Sequence, residues 1–210
     1  MDRALSPTRK RQKGSLFVEF VLVVALVMVP LLLGTMVVGF NLIRAIQVNQ
    51  INRDAGHMFA RGVDFSSDAN GQIDRSILFQ MAPRLAVTTS AGTGVLILSA
   101  VEYIGANTCT SCANLNHAVF TQQITLGNQA LRASNFGTVP AGSMNTDGSG
   151  TVTNPLTDTG VRADGILNAK ILPSMADGDV AYVSETFYSS TDLGLPGYMN
   201  ASGVYARAIF

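Results

Sequence analysis

Charged and chemically reactive side chains are scarce in this sequence. Only 13% of its 210 residues are charged, and it has two cysteines and two histidines. A tetrahedral zinc site needs four ligands, and one C-x-x-C pair with two widely separated histidines does not complete that set. The sequence also lacks a G-x-S-x-G motif, a glycine-rich phosphate loop ending in Lys-Ser or Lys-Thr, and an internal repeat. We therefore expect no enzyme activity, no metal, no cofactor and no small-molecule substrate.

The charge balance hides an asymmetry along the chain. Basic and acidic residues number 14 each, but five of the basic residues lie before residue 14. The rest of the chain is mildly acidic, which argues against a nucleic-acid partner. The length suits one ordinary domain plus an anchor. The second half is rich in Gly, Ser, Thr and Asn, a composition that favours a secreted β-rich domain over a cytoplasmic enzyme.

A long apolar run predicts a membrane anchor. From Leu16 to Phe40, Glu19 is the only charged residue. As a helix, this run spans roughly 37 Å, against a hydrocarbon core of about 30 Å. It is too long for a cleavable secretory signal and has no small-x-small site at its end. We expect a basic leader over 1–14, which stays inside, a transmembrane helix over 15–40 with a kink at Pro30, and the rest of the chain outside.

Apolar spacing predicts that the helix continues over 41–61 as an amphipathic segment, giving one rod about 70 Å long that ends near Arg61. Its apolar stripe is expected to pack on the domain that follows. The stripe consists of Leu42, Ile46, Ile51, Ala55, Met58 and Phe59.

The segment 62–210 is predicted to form an extracytoplasmic α+β domain. Four stretches have the composition of strands: VLILSAVEYI from Val95, AVFTQQITLGN, DVAYVSETFY and GVYARAIF. A short helix with Ile73, Ile77, Leu78 and Met81 on one face is expected to end at Pro83. The fold class is therefore α+β, with the long N-terminal helix packed on an antiparallel sheet. The segment 133–165 has little apolar content and no periodicity, which indicates long surface loops.

Cys109 and Cys112 form the most distinctive short motif of the chain, a C-x-x-C pair. A C-x-x-C can be a redox pair, half of a zinc site or a structural disulfide. The following residues are an Asn- and Ala-rich loop without a basic neighbour, and the predicted topology places the pair outside the cytoplasm. A disulfide that closes a tight loop is the favoured interpretation.

Two sets of carboxylates are candidate functional groups. Asp147, Asp158 and Asp164 could supply oxygen ligands to calcium, but the EF-hand spacing is absent, and acids in glycine-rich loops are usually solvated. Glu102 and Glu185 lie in predicted strands and could form an acid and base pair. Strand carboxylates that point to solvent are far commoner. His57 is expected to be interfacial or exposed, and His117 to lie in a loop.

Glu19 needs an explanation, because a carboxylate in the hydrocarbon costs about 2–3 kcal/mol even on insertion scales. It lies fifth from Ser15 in the junction KGSLFVEF, with Phe20 sixth. A leader ending in KG, this junction, a long apolar helix and the following PLLLG resemble class III (type IV-like) prepilins, in particular the TadE/TadG-like minor pilins of the tight-adherence (Flp) pilus. The resemblance covers about the first 60 residues.

The resemblance implies a peptidase cut between Gly14 and Ser15, with Glu19 as the assembly glutamate beside Phe20. The new amine of Ser15 would then pair with a Glu19 carboxylate when subunits stack in register. The implied partners are the inner membrane, a prepilin peptidase, other pilin-like subunits and a pilus assembly platform. The expected location is the bacterial inner membrane, with a cytoplasmic N-terminus and a periplasmic domain. The alternative is a single-pass anchored binding module with an uncleaved anchor.

Overall fold

The computed structural model describes residues 15–65, 91–163, 175–189 and 203–210. Its N-terminal part is one helical rod: α1 spans Ser15–Val23, a π-helical turn spans Val24–Met28, and α2 spans Val29–Ala60. The rod ends one residue before the predicted Arg61. Gly62 has a φ of 82° and donates its N–H to the carbonyl of Phe59 at 3.0 Å. A left-handed glycine just past the last turn is a common helix stop.

The π-helical turn lies directly before Pro30. Proline has no N–H, so the carbonyl of Leu26 cannot receive its usual bond from four residues along the chain. Widening the preceding turn to the π geometry is one way in which a helix accommodates such a break. The sequence predicted a kink at Pro30, and the structure has this irregular turn beside it.

Four antiparallel strands form one sheet in the order β2-β1-β3-β4. The strands are β1 Gly94–Ile104, β2 His117–Gly127, β3 Val180–Tyr188 and β4 Val204–Ile209. They fall on the four stretches that the sequence predicted as strands, and the α+β fold is confirmed. β1 is apolar along most of its length because it is an interior strand covered on both faces. The predicted short helix at 73–81 lies outside the described residues.

The last turns of α2 cover one face of the sheet, which we call the near face. Ala55 and Phe59 pack with Leu96 and Leu98 of β1, and Val48 is the first buried apolar residue of α2. The prediction that Ile51, Ala55 and Phe59 face the domain is therefore confirmed.

Two members of the predicted stripe are exposed instead of buried against the sheet. Leu42 is 62% exposed and Ile46 is 51% exposed. The step from Ile46 to Ile51 is five residues, which turns the helix by roughly 140° beyond a full turn, so the two halves of that stripe lie on different sides. The prediction was wrong for Leu42 and Ile46.

The opposite face of the sheet, the far face, is covered by the long segment between β2 and β3. Phe136, Val139, Val152 and Val161 are buried there against Val119 and other strand residues. The sequence predicted 133–165 to be surface loops. Its described part forms no long strand, but its few apolar side chains complete the core. The low apolar content concealed this because the buried apolar residues of the segment are few and irregularly spaced.

A buried glutamine holds this layer in place. The amide of Gln123 donates to the carbonyl of Gly137 at 3.0 Å and accepts from the N–H of Val139 at 2.9 Å. Its backbone N–H donates to the carbonyl of Gly150 at 2.8 Å. A buried loop needs partners for its backbone polar groups, and Gln123 supplies several of them.

Candidate functional site

The first candidate site is the exposed half of the helical rod. The residues from Leu16 to Ile46 include few buried positions, and their large apolar side chains mostly face outward. The most apolar stretch of this helix has no part buried within the described structure. The helix is therefore long enough and apolar enough to cross a membrane. A continuous apolar surface of this size needs lipid or protein to cover it.

Glu19 is the only charged residue between Leu16 and Phe40 on this surface. Its side chain is exposed and has no hydrogen-bond or ion-pair partner among the described residues. Phe20 beside it is also exposed. Ser15 is the first residue of α1, and Gly14 lies outside the described residues. An unpaired carboxylate in this position can accept a cation or a hydrogen-bond donor from another molecule.

A buried polar cluster joins α2 to the near face of the sheet. Asn52 accepts hydrogen bonds through Oδ1 from the hydroxyls of Ser184 at 2.9 Å and Thr186 at 3.0 Å. Ser184 Oγ also lies 2.8 Å from the carbonyl oxygen of Asn52. All three residues are buried, so these bonds fix the position of the helix along β3. Asn52 lies within the apolar stripe, and sequence analysis did not identify it.

One turn further, α2 meets the end of β4. Gly56 leaves room for the ring of Phe210, because a Cβ at this position would overlap that ring. His57 is exposed, as expected, and its ring centroid lies 4.4 Å from that of Phe210. His57 is therefore a packing residue at the rim of the near face.

The turn after β1 carries the cysteine pair. Cys109 and Cys112 are joined by a disulfide with their Cα atoms 5.9 Å apart, and both are partly buried. The N–H of Cys112 also lies 2.8 Å from the sulfur of Cys109. The bridge closes a loop that packs against the far-face core.

Asp177 holds the start of the same turn. Its carboxylate accepts hydrogen bonds from the backbone N–H groups of Gly105 at 2.6 Å, of Asn107 and of Thr108 at 3.1 Å, and from the hydroxyl of Thr108 at 2.6 Å. The hydroxyl bond from Thr108, followed by the backbone bonds, lowers the pKa of Asp177 below its ordinary value. The nearby negative charge has the opposite effect on Glu102, whose pKa is raised mainly by burial and then by Asp177.

Asn114 joins the disulfide loop to the far-face layer. Its side-chain amide donates to the carbonyls of Pro155 at 2.7 Å and Asp158 at 2.8 Å, and its oxygen accepts from Arg162 Nε at 2.8 Å. Arg162 also donates to the carbonyl of Ala113 at 2.5 Å. Asn114 is fully buried, so this set of bonds is shielded from water. Sequence analysis gave no signal for it beyond an Asn-rich loop.

Glu185 is buried on the far face, contrary to the expectation that a strand carboxylate points to solvent. It accepts hydrogen bonds from the Ser134 hydroxyl, the Asn135 N–H at 2.9 Å and the Tyr205 hydroxyl at 2.5 Å. Burial, followed by the bond to Glu185, raises the pKa of Tyr205. The Arg132 guanidinium carbon lies 4.1 Å from the centroid of the Tyr205 ring. This group fastens the start of the far-face layer to β3 and β4.

Glu102 and Glu185 do not form a catalytic pair. Glu185 lies opposite Ile97 in the register of β1 and β3, and Ile97 is five residues from Glu102. Because side chains alternate along a strand, an odd separation places the two carboxylates on opposite faces of the sheet. The structure thus contradicts the idea of an acid and base pair.

The candidate calcium ligands are engaged in local turns. Asp147 accepts from the N–H of Ser149 at 2.9 Å, and Asp158 accepts from the N–H of Gly160 at 2.8 Å. These contacts, led by the side chains of Ser149 and Ser143 respectively, lower the pKa of both carboxyls. Asp164 lies outside the described residues. The described parts of the chain contain no group of three metal-ligand side chains.

Comparisons with protein-family models, with curated proteins and with solved structures find no match to this chain.

Proposed function

We propose that the protein is a pilin-like structural subunit or assembly factor of a Tad/Flp-type surface pilus. In this proposal it inserts into the bacterial inner membrane with the leader in the cytoplasm and the domain in the periplasm. A prepilin peptidase then cuts after Gly14, and the subunit supports adhesion or surface attachment as part of the assembled pilus. The observation that carries the proposal is Glu19, fifth from Ser15: an exposed carboxylate without a partner among the described residues, and the only charge between Leu16 and Phe40.

The energetics of Glu19 support an assembly role. A simple anchor gains nothing from a carboxylate at this depth, because the charge lowers the affinity of the helix for lipid. Cleavage after Gly14 would create an amine on Ser15, one turn of helix from Glu19. The two groups can neutralise each other between neighbouring subunits, which offsets the cost of burying either one. The pair then forms only where the helices are aligned in register.

The first experiment is the intact mass of the protein recovered from its native membrane. We expect the native chain to begin at Ser15 and a Gly14→Ile variant to keep residues 1–14. Gly34→Ile is the matched control, because a Cβ at Gly34 has nothing within 4 Å, and this variant should be processed normally. If the native chain and Gly14→Ile both retain the leader, the single-pass anchored binding module is the better account.

A second experiment separates assembly from insertion. Two differently tagged copies are expressed together, and their association is measured by cross-linking in the membrane. Glu19→Leu should insert at least as well as the native helix but should lose most of the cross-linked product. The control is Asp54→Leu, which also replaces an exposed acid of the helix by leucine but lies after the apolar segment. This variant should leave cross-linking unchanged. Equal cross-linking in the Glu19→Leu variant would rule out the assembly role of Glu19.

A further inference from the structure

The disulfide loop lies between two attachment points of the domain. On its N-terminal side, Asp177 binds the turn that contains Gly105 and Thr108. On its C-terminal side, Asn114 binds the far-face layer at Pro155 and Asp158. The Cys109–Cys112 bond lies between these two attachments and fixes the distance between them.

We propose that this bridge is a redox modification site, open to thiols from solvent, and that its reduction loosens the part of the far-face layer held by Asn114. The inference is independent of the pilus proposal, because it uses only contacts within the domain. The bridge lies in a surface loop, and its neighbours Thr108, Thr110, Ser111 and Ala113 are all exposed. The substrate class is a thiol or dithiol, either a small molecule or a protein reductant.

The geometry assigns different roles to the two sulfurs. The N–H of Cys112 lies 2.8 Å from the sulfur of Cys109, so a negative charge on Cys109 is the better stabilised. An external thiolate is therefore expected to attack the sulfur of Cys112. The Cys109–Cys112 bond breaks, the electron pair stays on Cys109, and a mixed disulfide forms on Cys112. A second thiol then displaces Cys112, so that two thiols are oxidised to a disulfide and their two protons pass to the cysteines.

Reduction of the bridge should affect the far-face layer through the contacts of Ala113 and Asn114. With the bond broken, Cys112 and Ala113 are no longer held at a fixed distance from the turn bound by Asp177. The carbonyl of Ala113 and the side chain of Asn114 are the two acceptors of Arg162. A hydrogen bond to a more mobile residue is formed for a smaller fraction of the time. The layer should therefore open more often near Arg162, while its attachment at Gln123 is unaffected.

The test is amide hydrogen exchange on the full chain in detergent micelles, with and without dithiothreitol and without denaturant. Two amides report on the site: Asn114, bonded to the carbonyl of Leu156 at 3.1 Å, and Val161, bonded to that of Asp158 at 3.4 Å. We expect both to exchange about tenfold faster after reduction, the scale set by losing a short disulfide loop. The Gln123 amide, bonded to Gly150, is the internal reference and should not change.

Two variants make the result specific. The double variant Cys109→Ser and Cys112→Ser should exchange fast without reductant and should not respond to it. Arg162→Lys keeps the charge but cannot bond to both Ala113 and Asn114 as the guanidinium does. Dithiothreitol should still reduce the bridge in this variant, but the increase in amide exchange should be smaller. In each sample, intact mass spectrometry measures reduction of the bridge as the gain of two hydrogens.

Two outcomes overturn the proposal. If the native bridge gains hydrogens only in denaturant, it is not open to thiols. If it is reduced in the native state and the exchange of Asn114 and Val161 stays the same, the bridge does not hold the layer.

Discussion

At the scale of single residues, the domain depends on buried polar side chains within apolar surroundings. Asn52, Asn114, Gln123 and Glu185 are all buried, and each joins a strand, helix or turn to a segment distant in sequence. Their hydrogen bonds fix register and position, which apolar packing alone specifies poorly. The sequence contains no periodic signal for them because their partners lie far away along the chain. They could not be identified before the tertiary structure was known.

Replacing Asn52 should destabilise the domain. In Asn52→Ala the hydroxyl of Thr186 loses its acceptor in a buried site, and Ser184 keeps only the backbone carbonyl. We expect the free energy of unfolding to fall by about 1–3 kcal/mol. It would be measured by chemical denaturation of the full chain in detergent, followed by circular dichroism. Asn49→Ala, on the exposed side of the same helix, is the control and should change stability by less than about 0.5 kcal/mol. Equal effects in the two variants would contradict the role of Asn52.

The turn held by Asp177 should respond to acid. The pKa of Asp177 is lowered from its ordinary 3.8, so its bonds contribute stability that is complete above pH 3.8 and is lost as the pH falls through the lowered value. We expect the amide signals of Gly105 and Thr108 in nuclear magnetic resonance spectra to shift together in this range. Asp177→Asn should remove the transition. Asp147→Asn changes an exposed acid elsewhere and should keep it. A transition that persists in Asp177→Asn would show that another group controls the turn.

At the scale of secondary-structure elements, the sequence predicted the strands and the long helix but not all of their packing. Short β-branched and aromatic stretches predicted all four strands, because strand composition is a local property. The side of α2 that meets the sheet was placed correctly only from Ile51 onward, because Leu42 and Ile46 continue the outward apolar surface of the rod. The sequence of the far-face layer predicts surface loops, because a layer without regular structure has no periodicity to detect.

The outer edge of β2 offers a test at this scale, because the far-face layer, and not a further strand, pairs with it. Gly150 has a φ of 67°, and a Cβ there would overlap the backbone carbonyl oxygen of Gln123. Gly150→Ala should therefore lower the free energy of unfolding by at least about 1–2 kcal/mol, the cost of the left-handed conformation alone. It should also speed amide exchange at Gln123. Gly142→Ala, where an added Cβ meets nothing within 4 Å, should do neither. Unchanged exchange at Gln123 in the Gly150→Ala variant would contradict this account of the edge.

At the scale of the whole molecule, the rod is divided between two environments. The buried apolar side chains of α2 begin at Val48, so the core of the domain covers only the last part of the helix. The exposed apolar part from Leu16 to Ile46 is about 46 Å long, which exceeds the hydrocarbon thickness of about 30 Å. A helix with this excess tilts or leaves apolar residues at the membrane surface. In the second case Leu42 and Ile46 lie at the membrane surface, between the spanning part of the helix and the domain.

The orientation of the whole chain should depend on its leader. Basic residues near a membrane helix stay on the cytoplasmic side, so replacing Arg9, Lys10, Arg11 and Lys13 by Gln should reduce the fraction of molecules with the domain outside. Protease added to spheroplasts measures this fraction, because it digests only domains on the outer side. Arg53→Gln with Arg61→Gln is the control. These exposed residues lie on the domain side of the helix, and their loss should leave the native orientation intact or strengthen it. If the native domain resists protease in intact spheroplasts and is digested only after lysis, the orientation is the reverse. The leader would then lie on the outer side and the domain in the cytoplasm, which contradicts both the proposed cut on the inner side and assembly in the periplasm.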